Sequence, residues 1–140
     1  MALGLKCDTV ALVDHDPEWE TTADKTIKRL WRVFGSLAID IQHTGSTSIN
    51  GIKAKPSIGI TVATNHFEHF VSLIPRMEQE GFIITYRIKE NECVITVYTD
   101  QSCSVETHSI LIIEYNNAKY KDALCFRDYL NANPDAAKKI

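Results

Sequence analysis

A chain of 140 residues with 44% hydrophobic residues is long enough to bury one core, which predicts a single domain over residues 1–140. Its formal net charge of −3 lacks the basic excess typical of nucleic-acid-binding proteins, so we expect no nucleic-acid partner. No apolar stretch has the length needed to cross a bilayer, and the N-terminal residues do not form a signal-peptide pattern, so we expect no membrane association.

The cysteines indicate the cellular compartment. The four are widely spaced, without a CxxC pair or a zinc-ribbon pattern, and are Cys7, Cys93, Cys103 and Cys125. Isolated cysteines in mainly apolar surroundings are typical of reduced thiols in a reducing compartment. The sequence therefore predicts a cytoplasmic protein.

The chain begins with a pattern of strand followed by helix. Residues 9–13 form a short β-branched, apolar run that predicts a buried strand. Asp16 and Pro17 then have the residue types of an N-cap and a first helical position. Apolar residues at helical spacing follow from Trp19 to Phe34, including Trp31, and are predicted to pack in the core.

The middle of the chain predicts two strands and a second helix. Residues 37–42 and 57–63 alternate in the manner of strands, and a glycine-containing loop joins them. An amphipathic helix is predicted over about 66–80, with a kink or early end at Pro75 and a stop at Gly81.

The last third of the chain predicts three strands and a terminal helical region. The strands are expected at 82–88, 92–99 and 107–114, the first two as a hairpin, and a helix at 117–130 that buries Tyr120, Leu124 and Tyr129. Asn133 and Pro134 favour the start of one more helix. Because that helix has room for only one or two turns before Ile140, a C-terminal truncation of the domain stays open. The order of elements predicts an α+β fold, a mixed β-sheet with helices packed mainly on one face.

The loop after the strand at 37–42 has the composition of a phosphate-binding turn. Glycine lets a ligand approach the main chain, and hydroxyls beside unpaired N–H groups form an anion-binding concavity. Two lysines that follow could supply positive charge. The candidate phosphate- or nucleotide-binding residues are His43, Gly45, Ser46, Thr47, Ser48, Lys53 and Lys55. An ordinary turn with no ligand has the same composition, and that alternative stays open.

The longer string HTGSTSINGIKAKPSIGI at residues 43–60 resembles the GrpB family, whose usual form is close to H-x-G-S-T-S-[VI]-P-G-[LI]-x-A-K-P-x-I-D-I. Three further segments are similar to the opening helix, the THHxH strand and the closing signature of that family. They are Asp16–Trp19, Thr107–His108, and Phe126–Leu130 with Asn133–Pro134.

The resemblance implies a nucleotidyltransferase fold, in which a Gly-Ser turn holds a triphosphate and carboxylates on adjoining strands bind Mg²⁺. Gly45 and Ser46 match that turn, and Lys55 matches the lysine of the AKP motif. His43 precedes the turn and is expected to orient it, and Arg127 in the closing signature is a further candidate. The implied ligand is a nucleoside triphosphate or another phosphorylated small molecule.

The sequence departs from the family pattern at the implied metal ligands. Gly59 stands where the family places aspartate, and Thr61 stands where some members have a second acid. Ser109 and Leu111 replace the later histidines of THHxH, which leaves His108. The residues expected to face the cleft are Ser57, Gly59, Thr61 and His108.

Because Mg²⁺ sites normally contain carboxylates, Mg²⁺ would bind only if substitute ligands exist. The candidate acids Asp40, Glu106 and Glu114 are each more typical of surface strand charges. His15, His66 and His69 are expected to be exposed polar residues, since none belongs to a metal-binding pattern. No metal ligand and no catalytic residue is assigned.

Three hypotheses remain. The first is a nucleotide- or phosphate-binding module with weak or lost metal-dependent transfer. The second is an active nucleotidyltransferase in which Ser46 and one unconventional acid hold the metal. The third is a structural protein-interaction domain in which the loop is simply a stable turn.

Overall fold

The computed structural model describes residues 5–6 and 11–139. Its strands are β1 (Leu5–Lys6), β2 (Ala38–Thr44), β3 (Ile58–Thr64), β4 (Ile83–Lys89), β5 (Glu92–Tyr98) and β6 (Val105–Glu114). Its helices are α1 (Glu18–Phe34), α2 (Phe67–Val71), α3 (Ile74–Gln79), α4 (Ala118–Ala132) and α5 (Pro134–Ala137), with short 3-10 turns at Gly35–Leu37 and Ser46–Ser48. None of the helices in the described ranges is long and apolar enough to cross a membrane.

The strands form one mixed sheet in the order β2-β3-β6-β5-β4, with β1 added alongside β6. Only β3 and β6 pair in parallel, and the other neighbours are antiparallel. This confirms the predicted α+β class. The strand predicted at 9–13 lies partly outside the described residues, and within the described part only Val13 pairs, through an isolated bridge to Ala54.

Helix α1 packs its apolar stripe on one face of the sheet. The Asp16 carboxylate accepts a hydrogen bond of 2.9 Å from the Glu18 N–H, so Asp16 caps the first turn as predicted. Trp19 and Leu30 are buried, whereas Trp31 is 37% exposed. Position 31 lies about 120° around the helix from position 19 at about 100° per residue, which explains why Trp31 leaves the core.

Helices α2 and α3 cover the same face of the sheet as α1. Phe70 of α2 stacks on Phe34 with ring centroids 3.8 Å apart, and Ile74 of α3 is fully buried in the same core. The chain breaks between the two helices, and Pro75 occupies the first turn of α3. The interruption predicted from Pro75 is therefore confirmed.

Helix α4 lies on the opposite face of the sheet. Tyr120 and Leu124 pack there against Ala63 and Ile113. Tyr129 is 60% exposed, so its predicted burial is wrong. Because α4 covers only part of this face, the region beside the start of β3 stays open and forms a cleft.

Candidate functional site

The cleft has a volume of about 550 Å³ and lies where the β2–β3 loop folds over the start of β3. Gly45, Ser46 and Thr47 form one side of it, and Lys53 and Lys55 line it further along the same loop. The structure therefore brings together five of the seven residues predicted to bind phosphate.

The turn at Gly45–Ser48 needs a glycine at its first position. Gly45 has φ 75° and ψ −172°, a conformation that side-chain-bearing residues rarely adopt. The Ser48 N–H and hydroxyl both donate to the Gly45 carbonyl, at 3.0 and 2.5 Å. These bonds fix a compact turn in which Thr47 and Ser48 are buried and Ser46 is exposed.

The Thr47 hydroxyl connects the turn to both neighbouring strands. It is hydrogen-bonded to His43 Nε2 at 2.8 Å and accepts from the Gly59 N–H at 3.4 Å. The hydroxyls of Thr47 and Ser48 are thus committed to the turn itself. Ser46 is different, because neither its hydroxyl nor the N–H groups of Ser46 and Thr47 bond to another described residue.

Gly59 allows the turn to lie directly on β3. A Cβ atom at this position would stand 2.6 Å from the carbonyl oxygen of Thr44, which is shorter than real Cβ contacts. Two residues further along β3, the Thr61 hydroxyl is hydrogen-bonded to the Thr44 hydroxyl at 2.7 Å, and both residues are buried. The two positions at which the resemblance implies acids are therefore both in contact with Thr44, the last residue before the turn.

Glu106 supplies the one carboxylate among the described residues that line the cleft. It is half-buried and accepts a hydrogen bond of 2.6 Å from the Ser57 hydroxyl. The β5–β6 register shifts so that Tyr98 pairs with Glu106 while Val97 pairs with His108, which leaves Thr107 as an extra residue. The structure therefore places Glu106, one of the three candidate acids, on the wall of the cleft.

His108 does not face the cleft, and that prediction is wrong. It pairs with Ile58, whose side chain lies in the main core, whereas Ser109 pairs with Gly59 on the cleft side. Its ring nitrogens are hydrogen-bonded to Thr26 of α1 at 2.9 Å and to its neighbour Thr107 at 2.8 Å. Burial, and then the nearby Arg29 charge, lower the pKa of His108 from 6.5 to about 4.

The other candidate acids and histidines lie outside the cleft. Asp40 accepts hydrogen bonds from Tyr120 and Gln42, and Glu114 accepts from the Phe67 N–H at 3.3 Å. Among the predicted exposed histidines, His66 and His69 are exposed, whereas His15 is half-buried with its ring edge against Trp19.

The residues present do not fit a Mg²⁺ site. Magnesium is normally held by one or two carboxylates together with substrate phosphates. In the cleft, the Glu106 carboxylate already accepts from Ser57, and no second acid is among the described residues that line it. Across the ranges that the structure describes, no group of three His, Cys, Asp or Glu side chains is placed to hold a metal.

A second, polar pocket of about 290 Å³ lies on the other side of the turn. His43, Ser48 and Arg127 line it, together with the acidic residues Glu20 and Asp24 of α1. Burial is the main cause that lowers the pKa of His43 to about 4, and the Arg127 charge is the next.

Arg127 links α4 to β2 at this second pocket. Its guanidinium donates to the Gln42 side chain at 3.0 Å and to the His43 carbonyl at 2.8 Å, and its Nε donates to Asp128. Three acceptors within the protein therefore occupy the donors of its Nε and Nη1 atoms. The sequence offered no signal for this contact, which joins residues more than eighty positions apart.

The chain is similar in sequence to known proteins of one family. A family model described as "GrpB protein" matches residues 9–139. The glutamate-rich protein GrpB of Alkalihalophilus pseudofirmus is 33% identical over 139 residues, which are 98% of this chain and 80% of that protein. The chain spans between 37% and 63% of the length of three further curated relatives.

Solved structures share the fold. The crystal structure of a conserved GrpB protein from Enterococcus faecalis has a TM-score of 0.75 and 23% identity, over 91% of this chain and 76% of that one. The Cid1 poly(U) polymerase, solved with Mg 3'-dATP bound, has a TM-score of 0.58 and 14% identity, over 84% of this chain and 37% of that one. The fold is therefore nucleotidyltransferase-like.

Proposed function

This chain belongs to the GrpB family, and on that premise we propose that its cleft binds a nucleotide or another phosphorylated small molecule, with metal-dependent transfer weak or lost. One observation carries the proposal. The turn at Gly45–Ser48 leaves the Ser46 hydroxyl and the N–H groups of Ser46 and Thr47 without a partner among the described residues, beside two lysines that line the same cleft. Donors that converge on one concavity are suited to phosphate oxygens.

The rigidity of the turn supports the proposal. Thr47 is bonded to His43 and Gly59, and Ser48 is bonded to Gly45, so the open donors are held in place before any ligand arrives. A site that is ordered in advance loses less conformational entropy when it binds. The sequence predicts Thr47 and Ser48 as phosphate ligands. Because their hydroxyls make these bonds, the two residues instead stabilise the turn.

The charges of the cleft favour an anion. Lys53 and Lys55 are exposed, and the ion pair of Lys53 with Asp14 is long, at 3.8 Å. Glu106 is the single acid on the wall of the cleft within the described residues. A ligand with two or more negative charges would therefore be attracted, through contacts that salt screens.

The proposed loss of transfer activity follows from the acid positions. Gly59 and Thr61 occupy the places at which the family resemblance implies carboxylates, and both pack against Thr44. The Cid1 structure, which is described with Mg 3'-dATP bound, has a similar fold and supports a nucleotide as the class of ligand. It carries no argument for catalysis in this chain.

Isothermal titration with ATP, GTP, CTP and UTP, each with and without Mg²⁺, tests the proposal. We expect binding of at least one nucleotide at millimolar concentration or below. Ser46→Ala should weaken it about tenfold, because a hydrogen bond to a charged group is lost. Ser72→Ala, on a remote exposed turn, is the matched control. Absence of binding for every nucleotide would refute the proposal.

Glu106 favours a second candidate function, an active transferase that uses a substitute metal ligand. Its carboxylate lies on the wall of the cleft beside Ser57. Incubation with α-labelled and γ-labelled nucleotides and a cell extract would detect transfer. Label that moves in the wild type and is lost in Glu106→Gln supports this function, whereas label no higher than in Ser46→Ala refutes it.

A further inference from the structure

The two positions beside the turn at which the family resemblance implies acids carry no carboxylate and are in contact with Thr44. We propose that the cleft binds the terminal phosphate of a mono- or diphosphate ester without a divalent cation, with Lys53 and Lys55 as its counter-charges, so that Mg²⁺ weakens the binding of a ligand that chelates it. This inference rests on the proposed function and defines its ligand class and the sign of its dependence on Mg²⁺.

The first argument is steric. The Thr44 carbonyl oxygen occupies the space in which any side chain at position 59 would begin, at 2.6 Å from the position of a Cβ. The Cα of Gly45 lies 3.6 Å from the same point. The backbone of Thr44 at the end of β2, together with Gly45 of the turn, therefore fills the region that a side chain at position 59 would need.

The second argument concerns oxygen atoms. Thr61 and Thr44 use their hydroxyls on each other at 2.7 Å, and both are buried. On β6, the neighbouring cleft residues are Ser109 and Leu111, which contribute no carboxylate. A divalent cation beside the turn would have to replace water ligands with neutral or already bonded oxygens, which Mg²⁺ does reluctantly.

The third argument is the balance of charge. Two lysines and one carboxylate, that of Glu106, line the cleft within the described residues. His43 adds no positive charge at neutral pH, because burial and the Arg127 charge lower its pKa to about 4. The described lining therefore carries an excess of one positive charge, and the Asp14 carboxylate lies beside it, 3.8 Å from Lys53. A positive excess favours a phosphate anion over Mg²⁺. A monoester phosphate carries about two negative charges at neutral pH, which match the two lysines.

This arrangement predicts an unusual effect of metal. In a site that contains acids, Mg²⁺ bridges protein and phosphate and strengthens binding. Where lysines are the counter-charges, Mg²⁺ competes with them for the same phosphate oxygens. ADP, which chelates Mg²⁺, should therefore bind more weakly when Mg²⁺ is added, whereas AMP, which chelates it poorly, should bind almost equally in both conditions.

Titration of the full chain with ADP and with AMP, in EDTA and in excess Mg²⁺ at matched ionic strength, tests the inference. We expect the affinity for ADP to fall severalfold in Mg²⁺. Lys55→Met should weaken binding in EDTA about tenfold, while Lys28→Met, at an exposed position on α1, should leave it unchanged. Circular dichroism of each variant checks that it is folded.

The outcomes separate the two proposals. If Mg²⁺ strengthens the binding of ADP or leaves it unchanged, the inference is overturned and the proposed function survives. If neither ADP nor AMP nor any nucleoside triphosphate binds in either condition, the proposed function fails. If Lys28→Met weakens binding as much as Lys55→Met, the lysines of the cleft are not the counter-charges.

Discussion

Strand β3 presents two contrasting faces, and their difference explains how one strand serves both the core and the cleft. Ile58, Ile60 and Val62 are buried beneath α1 in the main core. Ser57 before the strand, and Gly59 and Thr61 within it, line the cleft on the other face. The core face requires large apolar side chains. The cleft face instead requires small residues and hydroxyl groups that form hydrogen bonds near the turn. A change on the cleft face therefore alters stability as well as binding.

The largest expected effect comes from Gly59→Asp, which places the family's acid on the cleft face. The new Cβ would lie 2.6 Å from the Thr44 carbonyl oxygen, so either the turn or β3 must move. Overpacking of this kind typically costs 1–3 kcal/mol, and we expect about 3 kcal/mol of lost unfolding free energy here because the obstacle is backbone. Denaturant unfolding measures it.

Ser109→Asp is the matched control for this change. Ser109 pairs with Gly59, lies in the same cleft and already has a Cβ, so an acid there adds the same charge without the backbone clash. If Gly59→Asp is no less stable than Ser109→Asp, the close seating of the turn on β3 is contradicted.

The next largest effect concerns the helix-covered face and pH. Burial lowers the pKa of His108 from 6.5 in the unfolded chain to about 4 in the fold. The unfolded chain therefore binds more protons between these values, so stability is complete above about pH 6.5 and falls as pH decreases toward 4. At about 1.4 kcal/mol per unit of pKa, the change from 6.5 to about 4 corresponds to a loss of up to about 3 kcal/mol once the pH falls below 4.

Unfolding of the wild type and of His108→Gln at pH 7 and pH 4.5 measures this contribution. The variant should be less stable at pH 7, because Thr26 loses its imidazole partner, and should lose less of its stability on acidification. His43, whose pKa is also lowered to about 4, still contributes in the variant, so some acid sensitivity remains. An equal loss in both proteins would show that His108 is not held neutral.

The elements of the fold were largely predictable because they depend on local patterns. Alternating apolar residues predict β3, and Asp16 predicts the start of α1, where its side chain does cap the helix. The break between α2 and α3 followed from Pro75. In each case the signal lies within a few residues of the structure that it determines.

The errors arose where a distant contact or an irregularity decides the outcome. The extra residue Thr107 in β6 places Glu106 in the cleft, and alternation along a regular strand cannot predict such a bulge. Gly59 was recognised as a missing acid, but its contact with Thr44 depends on how the loop returns over β3. The burial of His108 depends on its pairing with Ile58 of β3. That strand is the parallel neighbour of β6 and lies far from it in the sequence.

A smaller effect is expected from Thr61→Val, which removes the hydrogen bond to Thr44 on the cleft face. The Thr44 hydroxyl would then be buried without a partner, at a cost of about 1–2 kcal/mol in unfolding free energy. Adding Thr44→Val should recover part of this loss, because both polar groups are then absent. Thr85→Val, which breaks an exposed bond to Tyr98, is the control and should cost less.

The smallest effect tests whether the two sides of the turn are electrostatically distinct. Arg127→Gln removes the positive charge beside His43, and burial remains the larger cause of its lowered pKa. The pKa of His43 should therefore rise above 4 but stay below 6.5, as measured by NMR titration of the imidazole. The pKa of His108 should stay nearly constant, because burial and Arg29 are its main causes. If the pKa of His43 does not change, the Arg127 charge is screened by solvent. The difference in charge between the second, polar pocket beside α1 and the cleft would then depend on Lys53 and Lys55 alone.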